Sequence, residues 1–294
     1  MLKRNWCLPA IKDFLYPLRT PIYALGLGLM LFACQPKPST QDRSLENALS
    51  TFVLEDDFQI ELIAGEPLVA DPVDMVIDEH GRLYVVEMHG YPLDLSGSGK
   101  VKRLSDTDGD GIMDESVIFA DSLVVPTGIM RWKQGLIVTD PPNVYYLEDS
   151  DGDGKADIKQ ILLTGFALSN PQHNVNSPKL ALDNWIYLGH EPAVTTTIYE
   201  DLLGDKGTEV HYPDKPNNRL SQNAGGRSIR FKPDTYDLEL LSSRTQFGHT
   251  ANEFGHRFLL NNSNHIIQEV LSADYLDRNP HLVITEVTQS SSDH

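Results

Sequence analysis

Two stretches of the sequence are rich enough in carboxylates to hold a cation. Asp106-Thr-Asp108-Gly-Asp110-Gly-Ile-Met-Asp114 sets acids at its first, third, fifth and ninth positions and glycine at its fourth and sixth. The pattern returns 43 residues later as Asp149-Ser-Asp151-Gly-Asp153-Gly-Lys-Ala-Asp157. Alternate residues of such a loop point inward, glycine permits the sharp turn, and oxygen ligands of this kind suit calcium. Acids crowded into so short a loop repel one another unless a counter-ion sits among them. A metal-free Asp-Gly hairpin turn explains a single copy equally well. Two copies favour calcium in at least one loop, in a structural role. Val117 and Gln160 stand where a twelfth-position carboxylate would close the shell, so water or a neighbouring loop must complete it.

A second group of residues could do acid–base chemistry. His173 and Asn174 lie in Gln172-His-Asn-Val-Asn-Ser177, Arg227 in Ala224-Gly-Gly-Arg-Ser228, and His249 in Phe247-Gly-His-Thr-Ala-Asn252. Histidine titrates near neutrality and can accept a proton from a hydroxyl. Arginine can hold an anionic group of a cofactor or substrate. The plainer alternative for each is a polar side chain that satisfies buried backbone and ordered water. Trp132 and Trp185 are read as core.

The elements that must position these residues are strands. Each aspartate loop follows one apolar run (residues 101–104 and 144–147) and precedes another (116–119 and 159–163), as the turn of a β-hairpin does. The loops resemble EF-hand loops in spacing but lack flanking helical periods, which excludes a complete EF-hand. A strand–turn–strand unit at residues 75–86, turning at Gly81, recurs at 129–139, turning at Gly135. A shortened copy occupies 180–188, a looser hairpin 231–240 and a further copy 252–260. The two repeats differ in offset, which locates an insertion in the first unit around residues 89–99. Repeats of this length built from short strands are the signature of propeller blades, whereas a β-sandwich needs no period. The sequence therefore predicts an all-β chain, a six-bladed-type β-propeller that is incomplete, with four to five blades present. Residues 58–63 read as an edge strand awaiting a partner, and no closing strand is evident before His294. Both features lead to the expectation of a piece of a longer protein.

Blade alignment puts Glu87, Asp140, His190 and Asn261 at equivalent places near the tips of inner strands. Together with His249 they are expected to form one polar ring around a central channel.

The formal net charge is −18. Removal of the basic amino-terminal segment makes the remainder more acidic still, and such a surface repels nucleic-acid phosphates, so nucleic-acid binding is set aside. The two cysteines are Cys7 and Cys34, so neither a disulfide framework nor a C-x-x-C-H haem attachment is possible. Lys3, Arg4, Lys12 and Arg19 precede an apolar run that ends in Leu31-Phe32-Ala33-Cys34. Basic flank, short apolar core and small residue before the cut define a secretory signal over 1–33. The cysteine after it resembles a bacterial lipobox. The resemblance implies that Cys34 is lipidated and anchors the chain to a membrane, periplasm-facing or at the outer membrane. Residues 34–52 read as a polar tether and 53–294 as the propeller.

Asp71-Pro-Val-Asp-Met-Val-Ile-Asp-Glu-His-Gly-Arg-Leu-Tyr-Val-Val-Glu87, His173 leading into the strand at 180–188, and Arg278-Asn-Pro-His-Leu282 resemble a bacterial group of membrane-bound dehydrogenases. The resemblance spans residues 53–294. It implies a propeller similar to soluble quinoprotein glucose/sorbosone dehydrogenases, which oxidise a sugar or alcohol with pyrroloquinoline quinone and pass electrons to a cytochrome c domain or protein. It gives His173 the role of the base; Asn174 and Arg227, from the loops read above, are then expected to orient cofactor or substrate. This sequence departs from the relatives in having Asn-Val-Asn-Ser where they are glycine-rich. Two other functions fit the same sequence: a non-catalytic propeller that binds glycan or an envelope protein, and a metal-dependent lactonase with a metal in its channel.

Overall fold

The computed structural model describes residues 45–279 and 281–291. The predicted signal peptide, Cys34 and the tether up to residue 44 lie outside the described residues. The chain divides into two units, residues 1–60 and 61–294. The described part of the first holds a helical turn, Leu45–Leu49. No strand forms over residues 58–63, so the predicted edge strand is absent there.

The second unit is built from antiparallel meanders. The first blade comprises β1 (Pro72–Ile77), β2 (Leu83–Glu87), β3 (Gly99–Ser105) and β4 (Glu115–Leu123), hydrogen-bonded in that order. The second comprises β5 (Gly128–Trp132), β6 (Gly135–Asp140), β7 (Asn143–Glu148) and β8 (Ile158–Thr164). The third blade begins with β9 (Asn176–Leu180) and β10 (Ile186–Gly189). The chain then leaves it to lay a hairpin, β11 (Glu209–Tyr212) and β12 (Lys215–Gln222), on the outer edge of the second blade, and returns as β13 (Ile229–Lys232) and β14 (Asp237–Leu240). The fourth comprises β15 (His249–Ala251), β16 (Arg257–Leu259), β17 (Ile267–Glu269) and β18 (Thr288–Ser290).

The sheets stack face to face around the first strand of each. The alternation of β6 makes this plain, because all six of its residues are buried. Leu136 and Val138 pack with Tyr84, Val86 and Val101 of the first blade. Ile137 points the other way, into a core with Ile186, Leu188 and Phe231 of the third. A strand covered by apolar layers on both faces reads as a continuous hydrophobic run, as Gly-Leu-Ile-Val-Thr does here. The first strands meet directly. The backbone N–H of Ile129 on β5 donates to Asp74 of β1 at 3.0 Å, and the Thr127 hydroxyl donates to the carbonyl of Val175 just ahead of β9. His249 Nε2 on β15 lies 3.0 Å from the carbonyl oxygen of Ser177 on β9. Sheets radiating from adjacent inner strands are a β-propeller, and four blades are present among the described residues.

The predicted hairpins fall where expected, at β1–β2, β5–β6, β9–β10, β13–β14 and β15–β16. The aspartate loops are the β3–β4 and β7–β8 turns. Trp185 is corrected from core to surface. It is half-buried, with the Arg230 guanidinium and Lys232 ammonium each 4.6 Å from its ring centre.

Candidate functional site

A cavity of about 590 Å³ opens at the end of the inner strands where β1, β5 and β9 begin. Its wall includes Asp71, Asp74, His89, Tyr91, Gln172 and Asn176, and among the described residues neither lysine nor arginine lines it. Burial raises the Asp74 carboxyl above the ordinary carboxylate range, against the N–H bonds it accepts from Ile129 and Met75.

Two histidine–carboxylate pairs stand at topologically matching places. In the first blade, Asp71 precedes β1 and His89 follows β2, with Nδ1 of His89 3.0 Å from Asp71 Oδ2. The other ring nitrogen lies 2.8 Å from Oε2 of Glu87, which is fully buried and also accepts from the Ala70 N–H and pairs with Lys102 at 3.1 Å. Both ring nitrogens of His89 face carboxylates, so both contacts are satisfied together only when both carry a proton. Asp71 holds a left-handed backbone, φ 48°, uncommon for a residue with a Cβ and frequent at functional sites. In the third blade the order is reversed. His173 precedes β9, Glu191 follows β10, and Nδ1 of His173 lies 2.6 Å from Glu191 Oε1. Nε2 of His173 has no hydrogen-bond partner among the described residues. A carboxylate on Nδ1 fixes the tautomer and leaves Nε2 as the proton acceptor. Between the two pairs, the Gln172 amide donates to the Tyr91 hydroxyl at 2.7 Å.

The remaining predicted site residues are placed as follows. Asn174 is buried, and its Oδ1 accepts from the N–H and hydroxyl of Ser169. Its Nδ2 finds no partner. Arg227 is exposed and lies outside the cavity wall. The members of the expected ring are each engaged by partners in segments beside their strands. Asp140 accepts the N–H groups of Val124 and Val125, and burial raises its carboxyl to about 6. His190 is buried against Asn223 and Phe166, and burial depresses it to about 4. His249 is depressed to about 3 by burial and by the charges of Arg257 and Lys179. Asn261 accepts the N–H groups of Ser263 and Asn264. Of the ring, Glu87 touches His89 and His249 touches Ser177, and both of those partners line the cavity.

The carboxylates of Asp106, Asp108 and Asp114 converge, with ligand oxygens within 4.8 Å of one another, and so do those of Asp149, Asp151 and Asp153. The two loops share their hydrogen bonds, although the third converging acid is Asp114 in the first and Asp153 in the second. Asp106 accepts Gly109 and Gly111 N–H groups, and Asp149 accepts those of Gly152 and Gly154. Asp114 and Asp157 hold Thr107 and Ser150, respectively, while Asp110 and Asp153 accept the N–H groups of Ile112 and Lys155. The surroundings differ: the Arg103 guanidinium covers Gly154 and comes within 4.0 Å of Asp149. Sequence reading missed Asp71, His89, Tyr91 and Glu191. The available signal was the pairing of a histidine and an acid across equivalent strand pairs of two blades.

The sequence pattern of a family described as a domain of unknown function (DUF7133) matches residues 44–294. The chain belongs to the DUF7133 family. No protein curated for function matches this DUF7133 chain at a significant level. Among solved structures it is similar to the holo PQQ domain of pyranose dehydrogenase from Coprinopsis cinerea. That match has 17% identity and a TM-score of 0.42, and covers 71% of this chain and 45% of that one. It is also similar to a family AA12 carbohydrate-active enzyme of Trichoderma reesei (15% identity, TM-score 0.47, 76% and 52% covered). A third is virginiamycin B lyase of Staphylococcus aureus (12%, 0.30, 68% and 80%). The DUF7133 chain thus spans about half the length of the first two.

Proposed function

We propose that this propeller handles a neutral sugar or related alcohol as part of a cell-envelope oxidoreductase. The cavity at the inner-strand tips is its substrate site, and His173 is the group that accepts a hydroxyl proton. The His173–Glu191 pair carries this reading: a carboxylate-oriented imidazole with a free nitrogen, one residue after Gln172 of the cavity wall, though His173 itself does not line the cavity. Amide and hydroxyl groups of Asn176, Gln172 and Tyr91 suit a hydroxyl-rich ligand. Lipidated Cys34 would hold the domain at the membrane, and a cytochrome would receive the electrons.

Pyrroloquinoline quinone fits this cavity poorly. It carries three carboxylates, which call for lysine and arginine. Among the described residues the wall offers Asp71 and Asp74 and neither lysine nor arginine, so the quinone carboxylates would find no fixed cationic partner here. The hydride would have to pass to a two-electron redox group brought by a partner against the substrate carbon at the cavity mouth, and that group would hand the electrons singly to a cytochrome. Calcium suits the two aspartate loops, where it would bind hard oxygen donors and rigidify the hairpins.

The same wall, without lysine or arginine among the described residues, favours a second reading, a glycan-binding propeller without turnover. A lactonase has less support, because among the described residues the clusters able to hold a metal are the hairpin loops, away from the cavity. Dye reduction with a panel of aldoses and alcohols separates the first two. The oxidoreductase reading expects turnover that falls at least ~100-fold in His173→Gln with folding intact. Sugar binding without turnover, unchanged by that substitution, would establish the glycan-binding reading instead.

A further inference from the structure

A larger cavity, about 820 Å³, lies between the third and fourth blades at the opposite ends of the inner strands. Arg257 forms part of its wall. This side chain is 7% exposed, and one nitrogen, Nη1, reaches Glu269 at 2.8 Å. Its Nε and Nη2 have no hydrogen-bond partner. The Tyr187 ring centre lies 5.1 Å from the guanidinium carbon and supplies a π face but no acceptor. Buried guanidinium N–H groups are almost always paired, so two unpaired on one residue mark an unmet demand for an acceptor, which a shift of the side chain toward the cavity would meet. Lys179 lines the same cavity, and its ammonium makes no ion pair among the described residues. Asp183 also lines it, but its carboxylate is engaged by Arg230 and the Tyr187 hydroxyl. Glu253 stands exposed at the rim.

The rest of the wall mixes His249, Thr250 and Asn252 with apolar side chains, and the large apolar ones are uncovered. Leu180, Leu182 and Phe254 are 56%, 74% and 75% exposed, which is unusual for large apolar side chains clustered around one opening. Two cationic groups beside an apolar mouth match an amphipathic anion, with its charge inside and its body against the leucines and phenylalanine. Glu253 at the rim disfavours a multiply charged ligand such as phosphate.

We propose that this cavity binds a small carboxylate with an apolar body, its carboxylate at Arg257 and Lys179 and its body against Leu180, Leu182 and Phe254. The site is separate from the cavity that holds His89 and stands independently of the sugar-handling reading.

Benzoate and its neutral counterpart benzamide are the probes, titrated into the purified chain by calorimetry and thermal melting. Benzoate is expected to bind and raise the melting temperature, while benzamide and inorganic phosphate do so at least ~10-fold more weakly. Lys179→Gln should weaken benzoate roughly five-fold, the scale of one partly exposed ion pair. Arg257→Lys keeps a charge for Glu269 but loses the fork and should weaken it further, and His173→Gln should leave it unchanged. Benzamide binding as well as benzoate, or benzoate binding unaffected by Lys179→Gln, overturns the proposal. Because Lys179 is exposed, that variant decides the matter even where Arg257→Lys fails to fold.

Discussion

Acidification from pH 7 to pH 5 should destabilise this propeller, and the cause lies in two of the histidines expected to line its channel. His190 and His249 are buried neutral, depressed from 6.5 to about 4 and about 3. A base whose folded pKa is depressed binds its proton in the unfolded chain first, so its stabilising effect is complete above 6.5 and declines as the pH falls below that value. Over this interval each histidine removes about 2 kcal/mol. Asp140 acts in the opposite sense. Its carboxyl is raised from 3.8 to about 6, so the cost of burying its charge is relieved as the pH drops, which returns about 1 kcal/mol. The net loss is about 3 kcal/mol, or roughly 1 M in urea midpoint. The assay is urea unfolding at the two pH values, followed by the fluorescence of the tryptophans on β5 and before β10. In His190→Gln/His249→Gln the trend should reverse, leaving the small gain from Asp140. A wild-type midpoint that holds or rises at pH 5, or a double variant with the wild-type slope, would refute the assignment of these histidines as buried structural groups.

Three further outcomes are expected. Calcium at a hundred times its dissociation constant should raise the melting temperature by about 5–10 °C. Asp106→Asn should remove more of that shift than Asp149→Asn, because Arg103 covers the second loop; no heat and no shift with millimolar calcium would exclude both sites. Gly128→Ala should cost about 1–3 kcal/mol in urea unfolding, since the added Cβ would come within 2.7 Å of Pro178 and the Ser177 backbone where β5 meets β9; a neutral result would contradict inner-strand contact. Expressed in a Gram-negative host, the chain should incorporate a lipid label that Cys34→Ser abolishes; labelling that survives the substitution would rule out that anchor.

The blades were legible because each is closed locally. Gly81 and the aspartate turns force hairpins, and the alternation on either side gives the strands. The β11–β12 hairpin was not legible, because it leaves the third blade to extend the second, and nothing in Lys215-Pro-Asn-Asn-Arg announces a distant partner. The site was legible in half. His173 stood out as a type of residue, but its partner Glu191 was hidden behind His190, whose equivalence to Glu87 and Asp140 was real in the strand alignment. Equivalent position along a strand did not fix side-chain direction: Asp140 turns to the Val124 backbone and His190 to Asn223, each drawn by buried donors or acceptors in a connecting segment beside it. The 89–99 insertion was noticed as a length difference, yet it delivers His89 and Tyr91 to the cavity wall.

The central claim is that the inner-strand cavity takes a neutral, hydroxyl-rich ligand. Calorimetric titration with glucose, glucuronate and pyrroloquinoline quinone tests it most directly. Glucose should bind, and glucuronate and the quinone at least ~10-fold more weakly, with Asp71→Asn narrowing that gap. Tighter binding of either anion than of glucose, at a site that Asp71→Asn leaves unchanged, would contradict the account.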